Sequence, residues 1–256
     1  MIRQNPHMNT PIFPADSGAN ATSAGLKRAM IAQANPADAE ILQHFFKTGP
    51  GQYGEGDKFL GCKNPVTRRT AKAFRALPVR EAVRAAYSEW HEIRLCALLI
   101  LLGYYESKKT GGKERAAIFE QYADLARQGF VNNWDLVDLT APGITGAYAF
   151  EHGASTLERF ISSGHLWEER IAVLSMFPFI RAKQLDEPFR MVDRFLLHPH
   201  DLMHKACGWM LREIGKRDRA ALTDYLEKNK AAMARTTLRY AIEHYPEPER
   251  KAFLAR

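Results

Sequence analysis

Cysteine is scarce in this chain of 256 residues, and its absence already excludes several classes of protein. Cys62, Cys96 and Cys207 are odd in number and none lies close to another, so neither a disulfide framework nor a cysteine-based zinc site is expected. Cys96 and Cys207 fall in apolar helical stretches and read as small core residues, as suits a reducing cytoplasm. Long hydrophobic runs are lacking too. The most apolar stretch, Ile93 to Tyr105, contains Arg94 and is too short to cross a bilayer. The N-terminus has no apolar segment of the length a signal peptide needs. No membrane association is therefore expected. Histidines such as His44, His91, His152 and His165 are scattered, and His198-Pro199-His200 lacks helical ligand spacing, so no metal and no cofactor are expected. No Ser-His-Asp or Cys-His arrangement can be argued.

What is present is an ordinary globular balance, 46% hydrophobic and 25% charged, with a core large enough for one big domain or two small ones. The net charge is +7 and the isoelectric point about 9.3. A basic balance favours polyanionic partners, nucleic acid first and acidic membranes second, although it also serves plain solubility.

Residues 1 to 22, rich in Pro, Asn, Ser, Thr and Ala, carry no sustained period and are expected to form a flexible arm. From residue 23 to 256 the chain reads as one all-α domain. Apolar residues recur at helical spacing, and no convincing alternating strand appears. Turn signals interrupt it at Asn35-Pro36, Leu77-Pro78, Thr110-Gly111-Gly112, Ala141-Pro142-Gly143, Ser162-Ser163-Gly164, His198-Pro199 and Tyr245-Pro246. Arg94, Asp135, Arg170 and Lys205 recur as charged residues at intervals of about 35 to 41 residues. That period predicts HEAT-like two-helix repeats stacked into an α-solenoid, a right-handed superhelix with a concave face.

One segment departs from the pattern, Lys47 to Gly61, which contains a literal G-x-G-x-x-G from Gly49 to Gly54. It follows a helix and lies in no βαβ unit, so a dinucleotide site is rejected. Two roles stay open for it: backbone approach to a phosphate, or close approach to a neighbouring helix.

The segment Asn132 to Asp138 reads as a helix, which puts Trp134 and Asp138 one turn apart on one face. A helical aspartate in apolar surroundings needs a reason, and a cap or a salt bridge is the ordinary one. Asp135 is the better structural acid of the pair, being in register with the repeat and available to Arg94 or Arg170. Asp138 is then expected to point towards the concave opening. Trp209 lies on a later repeat; tryptophan in a solenoid is most often core, but two aromatic faces beside a carboxylate attract cations. Arg170 fits either a repeat-stabilising ion pair or a phosphate contact. Taken together, Trp134, Asp138, Arg170 and Trp209 suggest chemistry on a cationic nucleobase. Basic residues recur along the chain: Arg68, Arg69, Lys72 and Arg75 on one helix, Lys108, Lys109 and Lys113 around a loop, and Lys205, Arg212, Lys216, Arg217 and Arg219 later. One such cluster is usually a solvated face, whereas recurrence suits a groove tracking a phosphate backbone.

These residues resemble the AlkD family of bacterial DNA alkylation-repair glycosylases, built from HEAT-like repeats. The likeness runs from about residue 40 to the end, and is strongest at Trp134 to Asp138, Trp167 to Leu174 and Lys205 to Arg212. The Gly49 to Gly61 loop and the ending Met233 to Ile242 share it. The resemblance implies that Asp138 is the catalytic aspartate, that Trp134 and Trp209 face the lesion, that Arg170 lies near the DNA backbone, and that Arg212 contacts phosphate. Lys205, Arg68, Arg69 and Lys72 are further DNA contacts expected. Asn133 stands where the best-known member has a second consecutive tryptophan. The implied activity is hydrolysis of the N-glycosidic bond of cationic alkylated purines, 7-methylguanine and 3-methyladenine, in double-stranded DNA, with the lesion left stacked. The implied protein is a cytoplasmic monomer that meets the nucleoid when acting on DNA. The alternatives are a non-catalytic HEAT-repeat binder of damaged or branched DNA and a protein-binding HEAT scaffold.

Overall fold

The computed structural model describes residues 22–255. The arm expected over residues 1 to 22 lies outside them, save for Thr22, the N-cap of the first helix. Among the described residues the chain is helical, with one isolated bridge between Lys58 and Trp90. The fold is α-solenoid-like. It divides into two compact units, the second beginning at Tyr105.

The first unit holds α1 (Ser23–Ile31), α2 (Pro36–Phe45), α3 (Asn64–Ala73), α4 (Val79–Ala86) and most of α5 (His91–Glu106). Asn35-Pro36, read as a turn signal, stands at the start of α2: Asn35 caps the helix through its side chain, and Pro36 takes the first helical position, where a missing N–H costs nothing. The glycine-rich segment folds back on itself, with Gly54 N–H donating to Lys47 O at 3.1 Å. It is fixed to α5 by buried charges. Asp57 pairs with His91 Nδ1 at 2.8 Å and with Arg94. These interactions hold its carboxyl below the usual range even though burial, the largest single influence, pushes the other way. The Glu92 carboxylate accepts from the Leu60, Gly61 and Cys62 N–H groups at 2.9, 2.8 and 3.0 Å. Gly61 has φ +84°, and a Cβ there would stand 2.0 Å from Asn35 O. Of the two roles open to this segment, close approach to a neighbouring helix is the one seen at Gly61.

The second unit holds α6 (Gly112–Arg127), α7 (Trp134–Thr140), α8 (Ala147–His152), α9 (Glu158–Ile161), α10 (Leu166–Leu174), α11 (Phe177–Arg181), α12 (Asp186–Phe195), α13 (Asp201–Arg217), α14 (Arg219–Asn229), α15 (Arg235–Ala241) and α16 (Glu247–Leu254). Helices α7, α10, α13 and α15 form one row, each packed on the next, with α14 against α13 and α16 against α15. The row has the spacing of the charged positions: Asp135 on α7, Arg170 on α10 and Lys205 on α13.

Two local readings need correction. Ala141-Pro142-Gly143 is no ordinary turn: the chain continues from α7 into α8 through a π-helical turn, Pro142–Gly146, closed by Gly146 N–H to Ala141 O at 2.8 Å. Widening the helix lets Pro142 be carried without a break. Arg75 lies past the end of α3, whose C-cap is Phe74.

A close seam in the row lies at Gly208 of α13, where a Cβ would stand 2.5 Å from Tyr240 Cβ and 2.6 Å from Thr237 O on α15. Backbone cannot retreat as a side-chain end can. Gly208→Ala is therefore expected to destabilise by about 1–3 kcal/mol through overpacking, in spite of alanine's better helix propensity. Thermal melting checks this; an unchanged or raised melting temperature contradicts it.

Candidate active site

Asp138 owes its position to the way α7 starts. The helix begins at Trp134, because Asn133 is extended and its Oδ1 accepts from Trp134 N–H at 2.9 Å. Asn132 and Asn133, read as part of the helix, thus precede it. Where the resemblance places a second tryptophan, this chain has a fully buried cap, whose Nδ2 finds no hydrogen-bond partner among the described residues. Farther along, Thr140 bonds back to Leu136 O at 2.5 Å and to the Tyr122 hydroxyl at 2.9 Å, fixing the far end of the helix.

On α10, Arg170 faces Asp138 in a two-point ion pair. Nε donates to Oδ1 at 2.9 Å and Nη2 to Oδ2 at 2.8 Å. The same guanidinium reaches α13, with Nη1 donating to Leu202 O at 2.6 Å. One arginine therefore ties three consecutive helices of the row, using the fixed fork of donors that lysine lacks. Of the two acids on α7, it is Asp138 that Arg170 holds, where the repeat register favoured Asp135. Asp135 is buried and its Oδ1 accepts from Leu136 N–H at 2.9 Å.

The Asp138 side chain is 15% exposed and that of Arg170 5%. Burial pushes the Asp138 carboxyl above its ordinary value; the charge and hydrogen bonds of Arg170 pull it down without overcoming that, and Asp135 adds a smaller upward push. The result is a carboxylate more basic than a surface one, oriented by both its oxygens. Each oxygen keeps a second lone pair, which can accept from water or face a developing cation.

Trp134 opens α7 one turn before Asp138 and is half-buried. Trp209 is half-buried on α13, seven residues beyond Leu202, so its side chain lies on the same helix face as that of Leu202. It packs edge-on against Phe177 at 5.0 Å, and its Nε1–H donates to Glu213 Oε1 at 3.3 Å. Two tryptophans thus lie on the helices that Arg170 joins to its own.

The basic residues divide by whether they already have an acid. Lys205 pairs with Asp201 at 2.8 Å. Arg212 pairs with Glu243 and is only 19% exposed. Lys216 pairs with Glu213 at 2.6 Å. Arg68, Arg69 and Lys72 are exposed on α3 and form no ion pair among the described residues. Sequence reasoning missed the acids Asp201, Glu213 and Glu243, which blunt the positive face of α13. It also read His198-Pro199 as a turn, but weighed the two imidazoles only as metal candidates. In the fold this turn precedes α13, and His198 Nε2 meets Glu169 Oε2, beside Arg170 in sequence, at 2.9 Å. Among the described residues no cluster of three or more His, Cys, Asp or Glu side chains is arranged to hold a metal, and no helix is long and apolar enough to cross a membrane.

A family model described as DNA alkylation repair enzyme matches residues 26–245. The chain belongs to that family. Its match takes in α7, α10 and α13, hence the whole Asp138–Arg170–Leu202 arrangement. The DNA alkylation repair fold is also seen in a solved structure described as a predicted DNA alkylation repair enzyme from Enterococcus faecalis. That structure is 16% identical, covers 84% of this chain and 97% of its own, and superposes with a TM-score of 0.66. At that identity the likeness is one of fold. Among curated proteins none matches the chain.

Proposed function

We propose that this DNA alkylation repair protein is an alkylpurine DNA N-glycosylase, hydrolysing the N-glycosidic bond of cationic alkylated purines such as 7-methylguanine and 3-methyladenine in duplex DNA. The observation that carries the reading is Asp138: a largely buried carboxylate with raised basicity, oriented by Arg170 and one helical turn from Trp134. Alkylation puts positive charge on the base and makes it a good leaving group. As the bond breaks, that charge moves onto the deoxyribose. A fixed carboxylate, with aromatic side chains on its own and a neighbouring helix of the row, suits stabilisation of charge of that sign where it develops, at no reorganisation cost during the reaction. The free lone pairs of Asp138 suit it to position the attacking water as well. Trp134 and Trp209 supply the aromatic faces, and Arg170 holds the carboxylate in place.

The net charge of +7 supports a polyanionic partner. On α3, Arg68, Arg69 and Lys72 are proposed as phosphate contacts, because no acid stands in their way. Lys205 and Arg212 can take that role only by exchanging Asp201 and Glu243 for phosphate. Replacing Arg68, Arg69 and Lys72 together by alanine is expected to weaken binding to all duplexes alike. It should also flatten the log–log salt dependence by about 0.9 for each phosphate no longer neutralised. Titrations at several salt concentrations check this, and an unaltered slope removes α3 from the interface.

A second reading, a non-catalytic binder of damaged DNA, draws on the same ion pair, since both Asp138 oxygens already hold Arg170, as they would in a purely structural bridge. Parallel assays on duplexes bearing 7-methylguanine or neutral uracil separate the two. The glycosylase reading expects free base from the cationic lesion and little from the neutral one. Tight binding with no base released from either supports the binder.

A further inference from the structure

We propose that Glu169 is a positioning residue for the Asp138–Arg170 pair, acting through His198; the proposal rests on the glycosylase reading of Asp138. Helix α10 grips the start of α13 at two points from consecutive residues. Arg170 does so directly, through Leu202 O at 2.6 Å. Glu169 does so through a relay. Its Oε2 meets His198 Nε2 at 2.9 Å, His198 Nδ1 accepts from His200 N–H at 3.0 Å, and His200 Nδ1 accepts from Leu202 N–H at 3.1 Å. The relay ends on the residue whose carbonyl receives Arg170, so the hydrogen bonds form a closed ring that begins and ends on neighbouring positions of one helix.

The bonding pattern assigns the His198 tautomer. Nδ1 is an acceptor, so the ring proton sits on Nε2 and is donated to Glu169. Both ends of the imidazole are committed, and the His198 and Glu169 side chains are only 15% and 13% exposed. Consecutive residues of a helix point about 100° apart, so the two grips resist rotation of the α13 start as well as its sliding. The guanidinium is a rigid plane. If the Leu202 carbonyl swings away, Nη1 must follow or lose its acceptor, and Nε and Nη2 turn with it against Asp138. Glu169 thereby fixes the angle at which the carboxylate is held without touching the substrate.

The test compares Glu169→Ala with Glu169→Gln, whose amide oxygen can still accept from His198 Nε2–H. Single-turnover release of 7-methylguanine, duplex affinity, melting temperature and hydrogen exchange of the Arg170 Nε–H, followed by NMR, are measured on the full chain. Glu169→Ala should slow release on the order of tenfold with duplex affinity unchanged, since small misplacements of a catalytic group are costly. It should also speed Arg170 Nε–H exchange, and Glu169→Gln should restore both. A lower melting temperature with unchanged release per folded molecule and unchanged Nε–H exchange overturns the proposal. If the unsubstituted protein releases no base, the glycosylase reading fails by itself. The Nε–H exchange then decides the positioning: faster in Glu169→Ala supports it, unchanged refutes it.

Discussion

Asp138→Asn is expected to lower single-turnover excision of 7-methylguanine by about 10²–10³-fold, the loss that follows removal of one preorganised electrostatic group. The substitution keeps the size and one oxygen of the carboxylate, so Arg170 retains an acceptor at one of its two contacts. The other contact turns from an acceptor into an amide N–H facing a guanidinium N–H, and the charge that would face the developing sugar cation is gone. Duplex binding should hold or tighten, because a negative charge is removed from a site for a polyanion. The pH dependence carries the same signature. Burial raises the Asp138 carboxyl above its ordinary value of 3.8, so in the unsubstituted protein excision should fall off on an acid limb centred above that value. The limb should be missing from Asp138→Asn. The stability sign is opposite to that of a usual ion-paired aspartate. With its folded value raised, this group favours folding below the unfolded value, and its contribution is lost as pH climbs towards the folded one. Equal excision by both proteins would remove Asp138 from the chemistry.

Arg170→Ala should have the largest effect on stability, about 3–5 kcal/mol by denaturant or thermal unfolding, because it leaves a buried carboxylate without its counter-charge. It also strips Leu202 O of this donor and removes the side chain that links α7, α10 and α13. The unpaired Asp138 would be pushed further up, so the acid limb of any remaining excision should move to higher pH. Combining Arg170→Ala with Asp138→Asn should cost less than the sum of the two, since the second change removes the charge the first strands. Strict additivity, or a loss below about 1 kcal/mol, would contradict the pair as described.

The helical class and the repeat period were legible because they rest on local signals. Asn35-Pro36 interrupts the helical pattern by the local chemistry of its two residues, and charged residues about 35 positions apart needed only counting. Ala141-Pro142-Gly143 misled because Pro and Gly mark a break only if the helix keeps its ordinary pitch, and here it widens. The candidate site was legible as residue types on helices that pack together, not as partners. Spacing places a residue along a helix, but the rotation that gives Arg170 to Asp138 instead of Asp135 comes from packing against α10 and α13. The same limit hid the acids beside Lys205 and Arg212. Glu243 stands 31 residues from Arg212 and meets it only because α15 lies against α13. The basic face of α3 was readable because that helix contains no acid at all.

The most direct measurement is abasic-site formation in a duplex carrying a single 7-methylguanine, with the protein in excess, set against the spontaneous depurination of the same duplex. The account predicts release well above the spontaneous rate, with the Asp138→Asn protein binding the duplex as tightly and releasing base at least about a hundredfold more slowly. Release at the spontaneous rate by the unsubstituted protein, with the duplex demonstrably bound, would contradict it.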